Sequence, residues 1–347
     1  MTDSQQLHSY GLGLATRNSN GDIIEVFYPH LALAPDAATG ELLQQFLPQD
    51  ADACGYVELK PEQLPDLQRG LSAQQPALQA VIDNMAAGTQ PVLLCVLGSD
   101  LPPASIPEAF LKLQLLSHRL VKPHGVNLDG MFGVLKNLAW TSEGPVDPID
   151  LPARQLAART QGRVLDVMSM DKFPKMTNYV VPDGVRIADT ARVRLGAYLG
   201  EGTTVMHEGF VNFNAGTLGA AMIEGRISAG VVVGENSDLG GGCSTMGTLS
   251  GGGKEIISVG RNCLIGANAG IGFPLADGCI VEAGLYVTAG TKVRLLDKDG
   301  NEIRIAKARE LTSLENHLYR RNSLTGTVEC VPLATAISLN EELHAHN

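Results

Sequence analysis

Apolar residues recur with a period of six between residues 187 and 293. Neither an α-helix nor a half-buried strand has this period, whereas each hexad of a β-solenoid forms one short strand and a turn. Three hexads close one triangular coil, so the pattern predicts about six coils stacked at roughly 4.8 Å. The phase slips once after Ala229, and a glycine-rich interruption precedes Ile257. The eighteen recurring positions are Ile187, Val193, Leu199, Val205, Val211, Thr217, Ile223, Ala229, Val233, Leu239, Thr245, Ile257, Cys263, Ala269, Leu275, Val281, Val287 and Val293.

The residues between these positions are those that tight corners require. Gly, Asn, Asp and Ala are frequent there, as in 212–216 and 240–242, and Gly and Asn tolerate the positive φ angles of such turns. A β-sandwich is the alternative, but its strands alternate with period two and turn every 8–12 residues. Hexapeptide solenoids coil left-handed as a rule, and by that analogy we expect a left-handed helix.

The rest of the chain predicts a mixed fold in three parts. We expect an N-terminal α/β domain (1–180), a left-handed parallel β-helix (181–298) and a short C-terminal β/α cap (299–347). The predicted elements are strands at 23–28, 91–97 and 302–307, helices at 77–87, near 128–138 and near 334–344, a linker or exposed loop at 144–152, and a helix opened by a capping box at 105–108 with Phe110, Leu113, Leu116 and Leu120 on its apolar face.

Composition narrows the class of function. A net charge of −11 argues against nucleic-acid binding and against an anionic membrane surface. The chain shows no signal peptide and no apolar stretch long enough to span a bilayer. Its six cysteines, Cys54, Cys95, Cys243, Cys263, Cys279 and Cys330, form no CxxC pair, so we expect reduced thiols in a cytoplasmic protein.

The segment 251–254 superficially looks like a phosphate-binding loop. Thr248 stands where that motif needs its first glycine, and Glu255 follows the lysine where Ser or Thr is required. The pattern therefore favours a loop that bulges from one corner of the solenoid, and such loops often border active sites.

Three groups in the solenoid could carry chemistry. His207 is its only histidine and is either a catalytic base or a structural hydrogen-bonding residue; one histidine also falls short of the three that a zinc carbonic anhydrase needs. Glu208 and Glu224 lie sixteen residues apart, close to one coil, so they are expected on nearby corners. Glu224 and Arg226 flank a glycine, which fits either a functional site or an exposed ion pair of little energetic weight.

Four contiguous stretches resemble the tetrahydrodipicolinate N-succinyltransferase family, namely 206–217, 224–230, 240–253 and 281–290. The match extends over about 180–330, and the N-terminal half resembles the longer branch of that family more loosely. The resemblance implies a cytoplasmic homotrimer with active sites in clefts between subunits. It implies transfer of succinyl from succinyl-CoA to the amino group of L-2-amino-6-oxopimelate, the ring-opened form of tetrahydrodipicolinate.

The resemblance also implies roles for individual residues. Glu224 matches the catalytic glutamate, and Glu208 matches a residue that holds a magnesium ion near the three-fold axis. Ala191 stands where some members have aspartate, and the nearest acid is Asp189, so the magnesium site is left open. The positions that match succinyl-CoA contacts are Arg226, Gly241, Ser244, Ala267, Glu282, Ala283, Gly290, Lys307, Arg320, Arg321, Asn322 and Ser323.

The chemistry suits these residues. An amine nucleophile must lose a proton to attack a thioester, and a positioned carboxylate contributes roughly 10²–10⁴-fold as general base. Glu224 is either this base or a nucleophile that forms an acyl-anhydride.

Two other functions remain. One is another hexapeptide CoA-dependent acyltransferase, which would use a histidine in a cleft. The other is a structural or ice-binding solenoid, which would show rows of Thr-x-Thr that this chain lacks.

Overall fold

The computed structural model of the chain describes residues 7–47, 55–72, 75–247 and 256–333. They fall into two compact units. The first unit comprises Met1–Leu115 and Gly125–Pro174, and the second comprises Leu116–His124 and Lys175–Asn347.

The first unit contains two antiparallel sheets and most of the helices. In its four-stranded sheet, Val92–Leu97 is buried along its whole length and lies between Ser9–Arg17 and Gly55–Glu58. The strands of the unit are Ser9–Arg17, Ile23–Leu33, Gly55–Glu58, Val92–Leu97, Leu138–Thr141, Gly144–Val146 and Val167–Asp171. The helices are Ala37–Gln44, Leu64–Ser72, Leu78–Ala86, Ile106–Ser117 (which ends in the second unit), Met131–Val134 and Leu151–Thr160, with a 3₁₀ turn at Pro61–Gln63.

Several predictions for this part of the chain are confirmed. The strands expected at 23–28 and 91–97 and the helix expected at 77–87 are present, with slightly different ends. The predicted capping residues also engage the start of the helix Ile106–Ser117: the Ser105 hydroxyl accepts the Glu108 N–H at 3.5 Å, and the Glu108 carboxylate accepts the N–H of Ala104, not that of Ser105, at 3.0 Å. Leu120 lies beyond the end of that helix and is exposed.

Two predictions in this region are wrong. The stretch 128–138 forms only the single turn Met131–Val134, and Leu138–Thr141 is instead a fully buried strand between two antiparallel partners. The expected linker at 144–152 contributes the strand Gly144–Val146 and the start of the helix Leu151–Thr160. Short apolar runs fit a helix or a buried strand equally well, and here sheet pairing decides.

The second unit is a left-handed parallel β-helix with three faces. The first face consists of Arg186–Ile187, Thr203–Val205, Ala221–Ile223, Ser237–Leu239, Leu264–Ile265 and Ile280–Val281. The second face consists of Phe210–Val211, Arg226–Ile227, Ser244–Thr245, Gly270–Gly272 and Tyr286–Thr288. The third face consists of Tyr198–Leu199, Gly216–Thr217, Val232–Val233 and Ser258–Val259. Short 3₁₀ turns at Met176–Asn178 and Thr190–Arg192 precede or interrupt the first coils.

Strand register shows where the six-residue period holds and where it slips. Val205 pairs with Ile223, eighteen residues on, but Ile223 pairs with Leu239, only sixteen residues on. Ile227, not the expected Ala229, pairs with Val211, and Ala229 is only partly buried. After the glycine-rich interruption the paired positions are Val259, Ile265 and Ile271, two residues beyond the expected Ile257, Cys263 and Ala269.

The inward positions and the corners explain this composition. Paired Val, Ile and Leu residues are almost fully buried in one continuous core. At the corners Asn214, Asn236, Asn262 and Asn268 adopt φ between 51° and 57°, where asparagine is tolerated better than most residues. The corner prediction is therefore confirmed.

Four strands after the last coil form what we call the tail sheet: Lys292–Leu296, Glu302–Lys307, His317–Arg321 and Val328–Pro332. A hairpin turn at 297–301 joins the first two, and the 3₁₀ turn Ala308–Glu310 follows them. His317–Arg321 pairs in parallel with Ile280–Val281 and so extends the first face, with the buried Tyr319 packed edge-on to Phe273. This closes the end of the core, as expected. The loop 251–254 and the helix expected near 334–344 lie outside the described residues.

Cys95, Cys243, Cys263, Cys279 and Cys330 are buried and form no disulfide, while Cys54 is outside the described residues. Within the described ranges, no helix combines the length and apolarity needed to cross a bilayer.

Candidate active site

Each strand of the first face leads to the second face through a turn that we call the first corner. In most coils this turn has four residues, at 206–209, 240–243, 266–269 and 282–285. Between Ile223 and Arg226 it has only two, Glu224 and Gly225. This turn is two residues shorter than the others, which accounts for the slip in the hexad pattern. Glu224 therefore lies in a short turn, and the turns of the neighbouring coils are longer.

Glu224 is held by backbone contacts to the next coil. Its N–H donates to the Leu239 carbonyl at 2.8 Å, and its own carbonyl accepts from the Gly242 N–H at 3.4 Å. The side chain is half-buried. Gly241 lies beside it, because a Cβ at Gly241 would be 3.4 Å from Glu224 Oε2. Among the described residues, nothing accepts a hydrogen bond from the Gly241 N–H.

Cys243 packs under the same turn and is not a nucleophile. Burial raises the pKa of its thiol to about 12, and the charge of Glu224 raises it further while that of Arg226 opposes this. The thiol is therefore neutral at physiological pH, and the thiolate is the reactive form of cysteine. Of Glu224 and Cys243, Glu224 is therefore the group able to accept a proton.

Arg226 begins the second face and does not pair with Glu224. Its Nε donates to the Ser244 hydroxyl at 3.0 Å, and that hydroxyl lies 3.3 Å from the Tyr286 hydroxyl. Tyr286 reaches Ser244 because it lies over Gly270, where a Cβ would come within 2.3 Å of the ring. Tyr286 is a neighbour of the site that sequence reasoning missed, although the pattern of a glycine sixteen residues before an outward-facing aromatic could have indicated it.

Pairing of the first-face strands aligns the predicted residues in one column along the first corner. Ile223, Leu239, Ile265, Val281 and Tyr319 pair in succession. The residues that follow them are Glu224, Gly240, Gly266, Glu282 and Arg320, and after these come Gly225, Gly241, Ala267, Ala283 and Arg321. The column therefore runs from Glu224 to Arg320 over four strand spacings, roughly 19 Å. Between the two ends, the aligned positions hold glycine or alanine except at Glu282.

The tail residues at the far end of the column are held by two carboxylates. Glu282 Oε2 accepts from the Arg321 N–H at 2.7 Å. Glu329, with a 2% exposed side chain, accepts from Arg320 Nε at 3.1 Å and from the Asn322 amide at 3.0 Å. Ser323 is exposed in the turn that follows.

Lys307 and Gly290 lie near one another in this part of the chain. The Ala308 N–H donates to the Thr291 carbonyl at 2.9 Å, and the Arg309 N–H donates to the Ala289 carbonyl at 3.2 Å. Both Lys307 and Gly290 are exposed. The predicted coenzyme contacts thus lie on the first corner, on the second face, in the tail sheet or in the turns next to it, which hold Gly290, Asn322 and Ser323.

Glu208 and His207 lie in the first corner of the coil paired below Glu224, as expected from their spacing. Their side chains are 72% and 74% exposed and contact each other at 3.0 Å. Asp189 accepts the Ala191 N–H and caps a 3₁₀ turn. Within the described part of one chain, no three His, Cys, Asp or Glu residues come close enough to hold a metal ion.

Two family models and several known proteins match this chain. A family model described as the tetrahydrodipicolinate N-succinyltransferase middle region matches residues 135–175, and one described as the hexapeptide repeat of succinyl-transferase matches 256–289. The chain is 58% identical to the 2,3,4,5-tetrahydropyridine-2,6-dicarboxylate N-succinyltransferase of Vibrio cholerae serotype O1, over 97% of this chain and 98% of that protein. It is also 58% identical to the enzyme of that name from Pseudomonas paraeruginosa, over 99% and 100% of the two chains.

A solved structure from Campylobacter jejuni has the same fold. It carries the provisional description of a 2,3,4,5-tetrahydropyridine-2-carboxylate N-succinyltransferase and aligns with a TM-score of 0.87 at 31% identity. The alignment covers 97% of this chain and 96% of that one. The likeness therefore extends over both units, and the chain belongs to the tetrahydrodipicolinate N-succinyltransferase family.

Proposed function

We propose that the protein transfers succinyl from succinyl-CoA to the amino group of L-2-amino-6-oxopimelate, giving N-succinyl-2-amino-6-oxopimelate and CoA. This reaction belongs to the succinylase branch of diaminopimelate and lysine synthesis, in the cytoplasm. The observation that carries the proposal is the column that joins Glu224 to Arg320. The names of the relatives supply the acceptor.

Glu224 removes the proton that keeps the amine unreactive. The amine nitrogen then bonds to the thioester carbonyl carbon, the C–S bond breaks, and the departing CoA thiolate takes up a proton. Alternatively, Glu224 attacks the thioester first and forms a succinyl anhydride that the amine opens. Exchange of labelled CoA into succinyl-CoA in the absence of acceptor separates the two routes, because only the anhydride route releases CoA before the amine reacts.

The tetrahedral intermediate needs a donor for its oxyanion. The Gly241 N–H is suited to this role, because it lies beside Glu224 and has no acceptor among the described residues. A glycine also lets the acyl group approach the backbone closely. Arg226, held by Ser244, is placed to bind a substrate carboxylate.

The test is release of free thiol from succinyl-CoA in the presence of tetrahydrodipicolinate. We expect Glu224→Gln to lower kcat by about 10²–10⁴-fold with a small change in KM, since a positioned base contributes that much. Glu235→Gln is the matched control, because Glu235 is an exposed glutamate on a different corner. Unchanged turnover in the Glu224 variant would contradict the site assignment.

The competing acyltransferase function would require His207 as base. The exposure of His207 and its contact with Glu208 argue against a buried catalytic role. We expect His207→Ala to retain nearly full activity in the same assay; a large loss, with Glu224→Gln nearly silent, would favour that alternative.

The active assembly is proposed to be a homotrimer in which a neighbouring subunit completes each site. Any magnesium at its axis would be held by one Glu208 from each subunit, and no step of the reaction depends on it. Sedimentation equilibrium tests the assembly, and we expect a trimer with and without EDTA. Turnover measured with and without EDTA tests the second point, and we expect it to be unchanged.

A further inference from the structure

Two lysines stand directly opposite each other in the tail sheet. Lys292 begins one strand and Lys307 ends its antiparallel neighbour, and the two are paired in register. Both side chains are exposed. No described residue places a carboxylate within 4 Å of either lysine. Like charges directly opposite in a sheet destabilise it, so this pairing needs a reason other than folding.

The same face of the tail sheet carries further cations. Arg294 pairs with Ile305 and with Glu329, and Glu329 pairs with Arg320. Because directly paired residues share a face, and residues two apart on a strand do too, Lys292, Lys307, Arg294 and Arg320 all lie on one side. Glu329 and Glu302 are the acids that contact them. Four cations and two acids leave an excess of two positive charges in a chain whose net charge is −11.

These features make a surface suited to binding an anion, and carboxylates of the same sheet fix its two arginines in position. Glu329 is buried and engages Arg320 through Nε and Nη2, while the Arg320 side chain stays 44% exposed. Arg294 is fixed between Glu302 at 2.7 Å and Glu329 at 3.4 Å. The lysine pair has no such partner among the described residues, and it is the part of the surface where an anion would relieve repulsion.

We propose that Lys292, together with Lys307, binds a phosphate group of the CoA moiety. The inference rests on the proposed function, which supplies the ligand. Lys292 lies two residues after Gly290, and the contacts of Ala308 and Arg309 with 289–291 bring Lys307 to the same place. The phosphates of the coenzyme therefore meet the tail sheet, while its thioester end reaches Glu224 on the first corner.

The experiment compares Lys292→Gln with Lys298→Gln, which removes the same charge from the turn of the same hairpin. We expect Lys292→Gln to raise KM for succinyl-CoA about tenfold, the loss of one charge-assisted hydrogen bond at an exposed site, with kcat unchanged. KM for succinyl-pantetheine, which lacks the phosphates, should not change. The melting temperature should stay the same or rise slightly, because a like-charge pair is removed. The Lys298 variant should match the wild type.

CoA and dephospho-CoA distinguish which phosphate is bound. A wild-type preference for CoA that disappears in Lys292→Gln assigns the 3′-phosphate, whereas equal weakening of both ligands assigns the diphosphate. An unchanged KM, or an equal rise with succinyl-pantetheine, would overturn the proposal. Calorimetric titration with CoA alone keeps the test independent of turnover, so a wild type that binds CoA but releases no thiol would contradict the proposed function and not this inference.

Discussion

Glu224 can occupy its short turn only because the next residue is glycine. A Cβ at Gly225 would lie 2.3 Å from Cys243 Sγ and 2.6 Å from the Cys243 carbonyl oxygen. Cys243 belongs to the core of the β-helix, so neither atom can move aside without disturbing the next coil. The conformation of the turn that holds the Glu224 carboxylate therefore depends on the packing of Cys243 beneath it.

Gly225→Ala is expected to lower the free energy of unfolding by about 1–3 kcal/mol, as overpacking of a close-packed core does. Urea unfolding followed by circular dichroism measures this. Gly133→Ala is the control, since a Cβ there meets nothing within 4 Å. Equal stability of the two variants would show that the coil spacing at the first corner adapts more easily than the geometry indicates.

Residue identity also limited what the sequence could reveal about the site. Ala229 fitted the hexad period as well as Ile227 did, since both are apolar, and only strand register shows that Ile227 faces the core. Glu224 was identified through family resemblance. The two-residue turn that contains it could not be predicted, because Ala229 and Ile227 fitted the period equally well. Tyr286 was missed because outward positions follow no period.

At the scale of elements, the tail sheet depends on one buried carboxylate. Glu329 contacts Arg294 on one neighbouring strand, and Arg320 and Asn322 on and just after the other. Removing a buried charged partner leaves the remaining charges uncompensated and is costly, whereas exposed ion pairs contribute little.

Glu329→Ala is therefore expected to destabilise the second unit by about 3–5 kcal/mol. Glu302→Ala, which removes an exposed partner of the same arginine, should cost no more than about 1 kcal/mol. Calorimetry of both variants tests the difference. Similar melting temperatures for the two would mean that the Arg320 side chain is not held by Glu329.

Elements formed by local signals were predictable, and elements formed by pairing were not. Ser105 and Glu108 predicted the start of the helix Ile106–Ser117, and asparagine marked corners of the coils. Leu138–Thr141 was misassigned because its strand character comes from partners at 144–146 and 167–171. Likewise, the opposition of Lys292 and Lys307 exists only once register is known.

At the scale of the whole molecule, the two units offer separate probes. The single tryptophan, Trp140, lies in the first unit, is 4% exposed and donates to the Asp171 carbonyl. Its fluorescence therefore reports unfolding of that unit. Tyr10 and His30 of the same unit are joined by a 2.7 Å hydrogen bond, and burial lowers the pKa of His30 to about 4.

Because this pKa lies below that of an unfolded histidine, about 6.5, the unfolded chain binds the proton more readily. Stability from His30 is complete above pH 6.5, is lost as pH falls toward 4 and levels off below it. We expect urea unfolding followed by Trp140 to lose up to about 3 kcal/mol over this range. His30→Gln should flatten the dependence, with a smaller slope left by His8, whose pKa burial also lowers. His317→Gln, in the other unit, should leave the fluorescence profile unchanged.

The tail strand that completes the first face determines which part of the candidate site can form first during synthesis. Glu224 and Gly241 come together within neighbouring coils, whereas Tyr319 pairs with Val281 across 38 residues and must then pair with Cys330. Chains emerge from the ribosome amino end first. A nascent chain can thus pair the strands next to Glu224 and Gly241 before the tail strand is made. We expect a chain that ends before residue 317 to form its coils and, on the proposed function, to bind CoA more weakly than the full chain.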